Sequence, residues 1–210
     1  MSGPDVGILI PSVFIEGTDG DALNAAVTAD PSTFVSVHCD DAERHEASAV
    51  DVTFMAASVS GMTTVRLTVS LDGSMSNVYA MAGTQVQIMS FPAAFQVAAP
   101  FGTDIGGLSP AFFPVNADAE FDSWLTIGIT DGSTPGAISA SPGLGLGAWS
   151  ATAGISEDNG AVFYMSPDDG PGGADIVLAQ IPSATPSGTA SAQLQGRSVA
   201  GADWTMAKEW

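Results

Sequence analysis

The 210-residue chain sets 23 aspartates and glutamates against four lysines and arginines, a formal net charge of −19. A surface this acidic repels phosphate backbones and anionic headgroups, so neither nucleic acid nor a membrane is expected as a partner. With 45% hydrophobic residues the chain can bury a full core, which argues against intrinsic disorder.

Self-repulsion of this size is tolerated where salt screens it, and the Debye length is only ~8 Å at physiological ionic strength and shorter in seawater. The composition therefore fits a saline exterior setting, although a GC-rich genome would produce the same bias. Cys39 is the only cysteine, so no intramolecular disulfide can form and stability must come from the core. Residues 1–5 lack a basic n-region, and the apolar stretch at 7–14 is short and broken by Pro11, so this stretch does not read as a signal peptide: either the chain is not exported by one, or one has been removed. No run approaches the ~20 apolar residues of a membrane span.

In chain order, residues 6–15 read as a first strand bent at Pro11, and 33–39 as a β-branched second one. The regular signal begins near residue 49, where Val50, Val52 and Phe54 alternate with polar positions. Val65, Leu67, Val69 and Leu71 alternate with Arg66, Thr68 and Ser70 before an Asp-Gly turn, as in an amphipathic strand. Residues 77–81 and 85–91 read as a hairpin split at Gly83. Residues 91–114, rich in Pro, Gly and Phe, read as a long ordered connection that lays rings over a core edge.

The cleanest period-2 stretch is 121–131, where Leu125, Ile127 and Ile129 alternate with Trp124, Thr126, Gly128 and Thr130. It predicts a half-buried strand with Trp124 on the face opposite the leucine and isoleucines, packed within its own subunit. A Gly/Ser/Ala-rich loop follows at 134–154, then strands at 161–165, 175–181 and 189–196. Nine or ten short strands with almost no helical periodicity predict an all-β fold, an antiparallel β-sandwich or jelly-roll-like domain with long Gly/Pro-rich loops. We expect a single domain over 1–210: an N-terminal segment and acidic loop at 1–47, a sandwich core at 48–204 and a C-terminal tail at 205–210. Two small β-domains divided at 91–114 are the alternative.

The residues that could carry chemistry are few. His38, Cys39 and His45 fall in one charged stretch, but their spacing matches no zinc pattern, and a solvated loop after a strand is the better reading. Glu16, Asp19 and Asp21 lie in a loop with two glycines that could supply oxygens to calcium, without the spacing of an EF-hand. Asp168-Asp169 is a second acidic turn of the same kind. A Ser-His-Asp arrangement has no G-x-S-x-G elbow to rest on, and the Gly-Leu-Gly-Leu-Gly run at 143–147 lacks the strand, helix and lysine of a phosphate loop. No enzyme and no cofactor other than calcium is expected. Trp204 and Trp210 are candidate interaction residues, because aromatic side chains are enriched in interface cores.

The block Phe121-Asp-Ser-Trp-Leu-Thr-Ile-Gly128 resembles one in uncharacterised β-rich modules of secreted or surface proteins from aquatic bacteria and algae, and in similar virion structural proteins of marine phages. Asn159 to Tyr164, Pro167-Asp168-Asp169, Val177 to Gln180 and Gln195-Gly196 follow in the order those modules show, so the resemblance covers roughly residues 64–204. It implies a non-catalytic exterior module and assigns no functional residue. The expectation is a structural or interaction protein of a virion or extracellular surface, such as a capsid decoration, cement or fibre-associated protein. Its partners would be proteins, in a homo-oligomer or capsid lattice. A carbohydrate- or calcium-dependent adhesion module is the alternative.

Overall fold

A computed structural model of the chain describes residues 51–185 and 188–210. Within them run eleven strands: β1 (Val52–Phe54), β2 (Thr63–Val69), β3 (Met75–Gly83), β4 (Met89–Phe91), β5 (Trp124–Leu125), β6 (Ile138–Ala140), β7 (Ile155–Glu157), β8 (Gly160–Tyr164), β9 (Ile176–Ser183), β10 (Ser191–Ser198) and β11 (Asp203–Glu209). The helical elements among the described residues are short 3-10 turns. One sheet has the order β1-β2-β9-β5; the other runs β6-β8-β3-β10-β4-β7, with β11 on β10. Every strand pairing is antiparallel, and the two sheets pack as a β-sandwich, as the strand pattern predicts.

The core is made by the inward rows of both sheets. Val65, Leu67 and Val69 of β2 and Leu178 of β9 meet Val78 and Met81 of β3, Val162 of β8 and Leu194 of β10 in one cluster. Each such side chain contributes about 1.5–3 kcal/mol by leaving water. The described residues belong to one compact unit, and strands before 91–114 pair with strands after it, so that connection is not a domain boundary. The expected strands at 6–15 and 33–39 lie outside the described residues.

Four elements differ from the sequence reading. β3 and β4 are not a hairpin. Both run antiparallel to β10, so the chain resumes its direction after an excursion at 84–88 that closes on a Thr84–Gln87 hydrogen bond. The 134–154 loop contains β6 and a 3-10 turn, Gly145–Ala148, whose Leu146 enters the core. The expected tail at 205–210 is not a tail. β11 pairs with β10 along its whole length, Asp203 to Glu209.

The stretch at 121–131 is strand only at Trp124–Leu125. Asp122, Ser123, Trp124, Leu125, Thr126 and Ile127 are all buried, so the alternation does not separate a wet face from a dry one. Thr126 and Gly128 still donate backbone hydrogen bonds to Leu178 and Val177 of β9. The chain then bends: Gly128 has φ 79°, the Thr126 hydroxyl donates to the Ile129 carbonyl, and Pro171 leaves no room for a Cβ at Gly128.

Candidate functional site

Because side chains alternate along a strand, register fixes which of them share a face. Arg66 on β2 lies opposite Gln180 on β9, and Gln180 lies opposite Trp124 on β5. These three form one cross-strand row on the outer face of the four-stranded sheet. Their neighbours Leu67, Ala179 and Leu125 form the matching inner row. Trp124 is thus on the face opposite Leu125, as the alternation predicts, and it is buried within its own chain. What covers it is the connection at 108–121: Leu108, Phe113, Ala119 and Glu120 border a small pocket of about 70 Å³ above the row.

Gln180 is fully buried and fully bonded. Its Nε2 donates to the carbonyls of Glu120 (3.0 Å) and Asp122 (2.8 Å), and its Oε1 accepts Arg66 Nε at 2.9 Å. The Arg66 guanidinium lies 5.6 Å from the centre of the Trp124 ring, within cation–π range. Burial lowers the Arg66 pKa while the nearby Glu120 carboxylate pulls it back up, and a guanidinium stays cationic throughout. Asp122 fastens the adjoining loop: its carboxylate accepts Val97 N–H at 2.7 Å and Thr103 N–H at 2.6 Å. Burial pushes its pKa up to about 6, against the pull of backbone N–H groups from Val97, Thr103 and Ser123. Ser123 completes the seam by donating to the Phe95 carbonyl at 2.6 Å.

The other two cations among the described residues also lie over aromatic rings, and each has an acid partner. Arg197 bonds Asp168 at 3.1 Å and Asp203 at 2.6 Å, with its guanidinium 5.8 Å from the Tyr79 ring centre. Lys208 forms a buried ion pair with Asp51, and its ammonium is 5.9 Å from the Trp210 ring centre. All three acid–base pairs are therefore internal to the chain. Asp168, one of the two acids in the second calcium candidate, already bonds a cation.

Trp204 and Trp210, the expected interaction residues, are set into their own chain. Trp204 is 6% exposed, packs on Gly196 of β10 and donates its indole N–H to the Arg197 carbonyl at 3.0 Å. Trp210 is half-buried and donates to the Thr68 carbonyl at 2.8 Å, joining the end of the chain to the other sheet. It also borders an apolar cavity of about 210 Å³ with Val52, Leu67, Ile181 and Ala190. Glu16, Asp19 and Asp21 lie outside the described residues, as do His38, Cys39 and His45. Among the described residues no group of three or more His, Cys, Asp or Glu side chains is placed to hold a metal ion.

Arg66 and Gln180 went unmarked in the sequence. The available signal was Arg66 itself, one of four basic residues, at an outward position of the best amphipathic strand. Comparison with known proteins gives no match to a family model, a curated protein or a solved structure.

Proposed function

We propose that this chain is a non-catalytic structural or interaction protein of an exterior surface, and within that class a virion structural protein of the capsid decoration, cement or fibre-associated kind. The observation that carries the reading is an apolar run left in water on the 3-10 connection. Phe112 is 41% and Val115 70% exposed, with Pro114 exposed between them. A chain with a net charge of −19 has no solubility reason to present such a run, whereas a protein contact gives it one. The β-sandwich supplies a stiff platform for that contact, and the resemblance of the 121–128 block to virion and surface modules points the same way. The mechanism is burial of the apolar run against a neighbouring subunit, while the unpaired acidic surface stays outward.

Self-repulsion between acidic copies opposes that contact, and it is relieved as the Debye length falls from ~10 Å at 0.1 M salt to ~3 Å at 1 M. Light scattering on the full chain should therefore report a mass above the 21.1 kDa monomer that increases with sodium chloride. A monomer at every concentration and salt level contradicts the reading.

A further inference from the structure

Three cations among the described residues face a large excess of acids, yet they are not used alike. Arg197 and Lys208 are each bonded to carboxylates of their own chain. Arg66 is not. Its hydrogen bond is made by Nε, to Gln180, and its two Nη groups make no hydrogen bond or ion pair among the described residues. The rest of the side chain is held firmly. Gln180 is locked by two backbone carbonyls, and the Trp124 ring limits the guanidinium on one side. The result is a fixed donor fork beside a pocket of about 70 Å³, a few waters in size.

We propose that Arg66 receives a carboxylate side chain from a second copy of this chain. A planar guanidinium with its Nε already engaged offers the remaining N–H groups to a carboxylate in fixed geometry, and little side-chain freedom is left to lose on binding. Charge complementarity names the occupant. A chain with 23 acids and four basic residues presents carboxylates in abundance to its own copies. The setting fits a contact between subunits, because the segment that walls the pocket with Leu108, Phe113 and Glu120 also carries the exposed Phe112 and Val115. An arginine anchor with an apolar surround is the usual make-up of an interface centre. Glu120 is exposed at the rim of the pocket. Its carboxylate competes for Arg66 and repels the incoming one, so it tunes the contact downward.

This inference rests on self-assembly, and sedimentation equilibrium of the full-length chain separates the two claims. Arg66→Gln should weaken association by about 30-fold or more, as expected when one partner of a desolvated charge pair is removed. Glu120→Gln, melting like the wild type, should strengthen it several-fold as a reversible association. A wild-type chain that stays monomeric overturns both claims. If the wild type assembles and a normally melting Arg66→Gln variant assembles as tightly, the Arg66 contact is wrong and assembly stands. Unchanged or weakened association of Glu120→Gln overturns the contact as well.

Discussion

At Asp122 two backbone N–H groups, from Val97 and Thr103, converge on one buried carboxylate and tie a connection to the start of β5. Its folded-state pKa of about 6 lies above the ordinary 3.8, so between those values the folded chain binds a proton that the unfolded chain does not. The contribution of this group to stability therefore rises as pH falls through 6 and is absent above it, where the buried carboxylate is ionised. From pH 7 to pH 4.5 the gain is about 2 kcal/mol. Urea unfolding of the wild type and of Asp122→Asn at those two pH values should show the wild type gaining about that much on the variant; a constant difference between them contradicts the assignment. Nothing in the sequence separates Asp122 from the other acids. Its partners lie 19 and 25 residues away, and the Arg66–Gln180 bond spans 114 residues. Contacts of that range appear once the sheets are paired. Trp124 was legible because alternation along a strand is local and needs no tertiary knowledge.

Among the strands, β2 was legible because its inner face is apolar and Arg66 breaks the outer one, which keeps the period-2 signal clean. The 121–131 stretch shows the same period for a different reason. Its threonines and glycine mark hydrogen bonds and a bend inside the protein, so the pattern overstated the length of the strand. β11 was missed because its inward positions are Trp204, Met206 and Lys208, and a lysine in the inward row hides the alternation. Lys208 occupies that row because its ammonium meets Asp51 across the sandwich. The C-terminal segment is consequently part of the fold. Deleting residues 203–210 bares β10, removes Trp204 from the core and leaves Asp51 buried without its partner. Loss of a large buried aromatic side chain costs about 3–5 kcal/mol by itself, against a total stability of about 5–15 kcal/mol. The truncated chain should show no cooperative thermal unfolding by circular dichroism, and a melting transition like that of the full chain contradicts this role for β11.

Over the whole molecule, composition made the acidic character legible and the period-2 pattern made the all-β class legible, and register determined how the few cations among the described residues are used. Arg197 and Lys208 neutralise acids of their own subunit, leaving the outer surface strongly anionic among the described residues. On the proposed self-assembly, long-range repulsion would keep copies apart in dilute salt, while the apolar run at 112–115 and the guanidinium of Arg66 would act only at contact. The two effects have different ranges, so assembly should be governed by salt and concentration together. Hydrogen exchange read by mass spectrometry, at low and high protein concentration in 1 M sodium chloride, tests this most directly. The expected result is slower exchange at high concentration across residues 108–121, with the paired core strands β3, β9 and β10 unchanged. Exchange that is independent of concentration at 108–121 contradicts assembly through this face.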